Sequence, residues 1–194
     1  MILNYIELLN KISEHENMFY LMRNDVELYK NLNNIIELLV STLQNGNKIL
    51  ICGNGGSASD AQHLTAEFVG RFKKERKALN VEALSTNTSI LTAIGNDYNF
   101  DKIFSRQVEA KGNSGDVLIG FSTSGNSKNI VEAFKQANKQ HMINILFTGE
   151  NINTECAKYA DYIVGVPSKD TARIQEATVF LYHVIAEYVE KEFI

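Results

Sequence analysis

"KILICGNGGSASDAQHLTAEF", residues 48–68, is the stretch from which the fold can be read. An apolar run, Ile49 to Cys52, meets a glycine cluster, Gly53, Gly55 and Gly56, and then a segment that carries His63 and Glu67 four residues apart. A short apolar run bounded by glycine reads as a buried strand, and the segment after it has helical spacing. Glycines at such a turn let the backbone approach a ligand closely, and the amides at a helix start favour anions. Strand, glycine turn and helix together form the repeating unit of a sheet with helices packed on it.

The same alternation recurs along the chain. Further apolar runs lie at 81–84 (VEAL), 116–121 (DVLIGF), 143–148 (INILFT) and 162–166 (YIVGV), each followed by turn residues and then a helical pattern. This predicts an α/β fold with a parallel sheet and helices on both faces. Two leading helices are expected over 2–44, where Ile2, Ile6, Leu9 and Ile12, then Ile35, Leu38, Leu39 and Leu43, recur at helical spacing. Pro167 follows the last strand, and a final helix is expected over 172–191. With no linker or repeat in view, residues 1–194 are expected to form one domain, with 1–44 as a helical segment for packing or oligomerisation.

Composition narrows the function. A 194-residue chain that is 44% hydrophobic and 22% charged fits a soluble globular protein with a sizeable core. Its formal net charge of -4 gives no reason to expect nucleic acid or a membrane surface as partner. Cys52 and Cys156 make neither a disulfide framework nor a Cys-x-x-Cys site. No run approaches the roughly 20 apolar residues of a membrane span, and the N-terminus lacks the pattern of a secretion signal. A cytoplasmic location is expected.

The turns at the carboxyl ends of the strands are where an open α/β sheet binds ligands. Gly53, Gly55 and Ala58 fit a loose dinucleotide fingerprint, but Glu82 lies inside the second strand rather than after it, where the ribose would need an acid. The turn "FSTSGNS", residues 121–127, gathers Ser122, Thr123, Ser124 and Ser127 around Gly125 ahead of a helix. One serine there would be a helix cap; four hydroxyls suit a phosphate cradle. His63 and Glu67 share a helix face, and Gln175 and His183 fall on one broad stripe of the final helix. Each pair alone is also explained by a surface ion pair or a satisfied histidine. If the two helices meet, the four could hold a zinc-like ion. "RFKKERK", residues 71–77, reads as a solvated helix end, with Arg71 close enough to the site helix to attract an anion.

These residues carry a family resemblance. "CGNGGSASDAQHLTAEF", "AIGNDY", "FSRQVEA", "GDVLIGFSTSGNS" and "DTARIQEATVFLYH" together resemble the bacterial phosphoheptose isomerases of the sugar isomerase (SIS) superfamily, across almost the whole chain. The resemblance implies a three-layer sandwich around a five-stranded parallel sheet, and a homotetramer with sites at subunit contacts. It implies conversion of sedoheptulose 7-phosphate to D-glycero-D-manno-heptose 7-phosphate, the first step of ADP- or GDP-heptose synthesis for surface glycans such as lipopolysaccharide or capsule. The implied ligands of one zinc ion per subunit are His63, Glu67, Gln175 and His183. The implied substrate contacts are Asn54, Gly55, Gly56, Glu67, Asn96, Asp97, Ser122, Thr123, Ser124, Ser127 and Gln175. Glu67 is the implied base and His183 the implied acid. Many relatives place a histidine where this chain has Thr178. Non-catalytic relatives, which bind the replication initiator or sense sugar phosphates, share the turns but do not need the acid/base set.

Overall fold

The computed structural model describes residues 4–194, so the expected helical position of Ile2 lies outside the described residues. Two helices open the chain, α1 (Tyr5–Arg23) and α2 (Val26–Gln44). Each has a side-chain cap: Asn4 and Glu7 form a reciprocal capping box on α1, and Asp25 accepts from the Leu28 amide on α2. The remaining strands and α-helices follow in the order β1 (Ile49–Gly53), α3 (Gly56–Val69), β2 (Val81–Ala83), α4 (Thr88–Asp97), α5 (Ser105–Lys111), β3 (Val117–Phe121), α6 (Lys128–Lys139), β4 (Ile143–Thr148), β5 (Tyr162–Gly165) and α7 (Thr171–Lys191).

All strand pairs are parallel, in the order β2-β1-β3-β4-β5. Alternate side chains of β1 divide the core. Ile49 and Ile51 pack with Ile35 and Leu39 of α2, Phe68 of α3 and Tyr182 of α7, while Leu50 and Cys52 pack with Val108 of α5 and Phe134 of α6. A parallel sheet covered on both faces needs such double-sided burial, which is why its strands read as continuous apolar runs. The three layers agree with the expected architecture, and strand β4 falls on the expected residues.

Two expectations differ from the structure. No α-helix follows β4; residues 149–161 are polar without helical spacing, and they form turns and one 3-10 turn, Ala157–Tyr159, before β5. Residues 71–77 are not a helix end either. Gly70 caps α3, and the segment runs on as a non-helical strap that bends at 72–74 and whose Arg76 side chain is fully buried against Glu190. Its charge density hid that burial.

The topology fixes where a ligand can sit. From β1 the chain crosses to β2 on one side, and β3 then lies on the other, so the sheet changes direction between β1 and β3. Gly53 at the end of β1 pairs in register with Phe121 at the end of β3. The glycine turn and the serine turn therefore leave adjacent strand ends at the switch point, the usual binding crevice of such a sheet.

Candidate active site

The glycine turn is shaped by its backbone. Gly55 has φ +55°, a left-handed conformation that side chains disfavour, and the amides of Ser57 and Ala58 close the first turn of α3 on Asn54 and Gly55. Gly53 has a different constraint. A Cβ there would lie 2.3 Å from the Ser57 carbonyl oxygen. Asn54 exchanges two amide hydrogen bonds, 2.9 and 2.7 Å, with the buried Asn129 of α6, which joins this turn to the helix behind the serine turn.

The serine turn is pinned in turn. Gly125 has φ +66°, and a Cβ on it would collide with the Thr154 side chain at 2.4 Å. Buried Ser122 donates to Ser127 at 2.9 Å, Ser124 accepts from the Asn126 amide, and the Thr123 carbonyl accepts from the Gly149 amide. Ser124 is exposed, and Thr123 and Ser127 are half-buried, so these three residues are not closed off from solvent.

Helices α3 and α7 do meet. His63 Nε2 lies 3.1 Å from Glu67 Oε1 and 3.3 Å from His183 Nε2, and the three donor atoms all lie within 4.8 Å of one another. Donors about 2.0–2.1 Å from a tetrahedral zinc stand roughly 3.3 Å apart, so two imidazoles and a carboxylate at these spacings fit such an ion. Gln175, two turns earlier on α7, lies over the start of α3: a Cβ on Gly56 would be 2.5 Å from its side-chain nitrogen. Asn96 and Asp97, at the end of α4, are exposed and hydrogen-bond to each other at 2.9 Å; among the described residues no side-chain hydrogen bond joins them to the other site residues.

Several residues around this cluster were not singled out in the sequence. The buried Tyr182 shares a 2.8 Å hydrogen bond with His63 Nδ1, which leaves Nε2 facing Glu67 and His183. A partner on the second ring nitrogen is the usual way a ligating histidine is held in one tautomer and orientation. Burial first, then the charges of Asp60 and Glu67, push the Tyr182 phenol up. Asp60 lies one turn before His63 and is buried, with one carboxylate oxygen lacking a hydrogen-bond partner; burial lifts it to about 6 against the opposing pull of His63. Burial and then His63 hold His183 below the ordinary histidine value, with Glu67 opposing them. Phe72 stacks on His183, the ring centroids 5.5 Å apart and the planes 20° from parallel. Asp60 and Glu190 could have been found from sequence, three residues from His63 and seven from His183 on the same helix faces. Tyr182, Phe72 and Asn129 carry no such signal.

Cys52 is no nucleophile: it is fully buried, and burial raises its thiol far above the ordinary value. Cys156, also buried, is pushed up to about 12.

A family model described as the SIS domain matches residues 18–149. A phosphoheptose isomerase of Clostridium acetobutylicum is 49% identical over 168 residues, covering 87% of this chain and 85% of that protein. One of Campylobacter jejuni is 54% identical over 157 residues, covering 81% and 84%. This chain belongs to the phosphoheptose isomerases. Among solved structures, a phosphoheptose isomerase of Neisseria gonorrhoeae superposes with a TM-score of 0.88 at 41% identity, covering 95% of this chain and 97% of that one. Another, from Francisella tularensis, gives 0.91 at 31% identity and covers 97% and 100%. The phosphoheptose isomerase fold thus extends over α1 and α2 as well as the sheet. Among the described residues no helix is long and apolar enough to cross a membrane.

Proposed function

We propose that this protein is the aldose–ketose isomerase that converts sedoheptulose 7-phosphate to D-glycero-D-manno-heptose 7-phosphate. The observation that carries the reading is the convergence of His63, Glu67 and His183 from two helices, one of which, α3, begins at the switch-point crevice. A non-catalytic sugar-phosphate sensor has no need of that trio.

The chemistry is a proton shift between adjacent carbons. A C–H beside a carbonyl is a weak acid, so the enzyme must hold a base at C1 and stabilise charge on the oxygens of the enediolate. Glu67 removes the C1 proton while the carbonyl oxygen at C2 takes up a proton. The resulting enediol then receives a proton at C2 as the C1 hydroxyl gives one up, and the C1 carbonyl forms. His183, held toward its neutral form, exchanges the proton with oxygen. Ser122, Thr123, Ser124 and Ser127, with the amides that open α6, hold the phosphate. Asn54, Gly55, Gly56, Asn96, Asp97 and Gln175 orient the sugar. Phosphate binding far from the reacting carbons then positions C1 against Glu67.

His63, Glu67 and His183 would hold a zinc ion, and such an ion would polarise the substrate oxygens; Gln175, which the family resemblance implies as a fourth ligand, lies beside Gly56 and about two helical turns from this trio within the chain. Chelation with dipicolinate followed by desalting is therefore expected to remove most turnover of sedoheptulose 7-phosphate, and one equivalent of zinc per chain to restore it. Full activity in protein shown by elemental analysis to be metal-free would contradict the metal assignment.

A homotetramer with sites at subunit contacts is part of the same reading. Tyr5, Ile6 and Ile12 on α1 and Phe180 and Tyr188 on α7 are exposed apolar side chains that other copies would cover.

A further inference from the structure

The strap after α3 is tied to both helices of the acid/base cluster by one buried ion pair. Glu190, two turns beyond His183 on α7, is buried and accepts three consecutive main-chain N–H groups: Phe72 on one oxygen at 2.9 Å, and Lys73 and Lys74 on the other at 2.8 and 3.0 Å. Arg76 faces the same carboxylate, its Nε 3.6 Å from Oε1. Its two outer nitrogens then fan onto the end of α3, Nη2 donating to the Glu67 carbonyl at 2.7 Å and Nη1 to the carbonyls of Phe68, Gly70 and Lys77 at 2.8, 3.1 and 3.1 Å.

Glu67 lies in the last turn of α3, where the helix leaves its final carbonyls without partners. A planar guanidinium satisfies several of them at once and places positive charge at the negative end of the helix, which a lysine cannot match in geometry. The same clamp fixes Phe72, whose ring covers one face of His183. Burying a carboxylate and a guanidinium is a poor way to gain stability alone, since desolvation offsets much of their attraction. Here the pair orders the two segments that carry the base and the acid.

We propose that Arg76 and Glu190 are positioning residues for Glu67 and His183, acting through the capped end of α3 and the Phe72 ring. The proposal rests on the isomerase reading, and the test separates the two by measuring zinc affinity, through competition with a chromogenic chelator, beside kcat and KM. Arg76→Met and Glu190→Gln are expected to lower kcat by about 10²-fold while changing KM by about threefold or less. Their zinc affinity is expected to fall about tenfold or more. Arg76→Lys keeps the charge without the fork and should recover little of either.

Phe72→Leu breaks no buried polar contact, so it carries the test if the ionic variants do not fold. It is expected to reduce kcat about tenfold at an unchanged unfolding temperature, the cost of a misplaced catalytic group. Wild-type kcat in Phe72→Leu, or wild-type kcat and zinc affinity in folded Arg76→Met and Glu190→Gln, would overturn the proposal. Full recovery in Arg76→Lys would overturn the capping geometry. Should the wild type itself fail to turn over the sugar phosphate, the isomerase reading falls, and the zinc affinities still decide whether the clamp organises the cluster.

Discussion

Glu67→Gln is expected to lower kcat by between about 10² and 10⁴-fold, the range supplied by a positioned general base, while leaving substrate affinity nearly unchanged. The substitution replaces one carboxylate oxygen by an amide nitrogen in a side chain of the same size. The α3 scaffold, the turn at Gly53 and the serine turn are untouched, so binding of the phosphate has no reason to weaken. Glutamine still offers an oxygen at 67, next to His63, which lies 3.1 Å from the carboxylate it replaces. Zinc content therefore has to be matched between variant and wild type before kcat is compared. A matched variant with kcat within about threefold of wild type would remove Glu67 from the proton transfer.

The second large effect is structural. Gly53→Ala puts a methyl group 2.3 Å from the Ser57 carbonyl oxygen and 2.6 Å from its carbon, both backbone atoms of α3. A flexible side chain could swing away; the first turn of a helix cannot. Either β1 or α3 must shift, and overpacking of this kind costs roughly 3 kcal/mol. In a chain of this size that corresponds to a drop in unfolding temperature of roughly 6 to 12 °C. Because α3 carries His63 and Glu67, zinc affinity should fall with it. An unfolding temperature within about 2 °C of wild type would show that the turn has more room than its geometry suggests.

The sequence revealed the sheet because its strands are buried on both faces. Runs such as INILFT at 143–148 are apolar without alternation, and their ends are marked by turn residues. The two turns were legible because glycines and hydroxyls at strand ends have few other uses. His63, Glu67, Gln175 and His183 were legible as pairs, but spacing along one helix says nothing about whether a second helix lies beside it. Only packing brings His183 Nε2 to 3.3 Å from His63 Nε2.

The strap at 71–77 misled for a physical reason. Five cationic side chains in seven residues normally mark solvent, yet one of them, Arg76, is paired with a glutamate more than a hundred positions away. Long-range pairing of that kind leaves no local pattern. Tyr182 is similar: within α7 it reads as an ordinary buried aromatic, and its hydroxyl gains a role only from the position of His63 across the helix interface.

The central claim is that a proton moves between C1 and C2 of a ketose phosphate on this protein. The direct measurement is proton NMR of sedoheptulose 7-phosphate incubated with zinc-loaded protein in deuterated buffer. The expected result is growth of a heptose 7-phosphate signal set with deuterium at C2, since a proton held by Glu67 between the two carbons can exchange with solvent. A spectrum that stays unchanged with folded, zinc-loaded protein would contradict the assigned reaction.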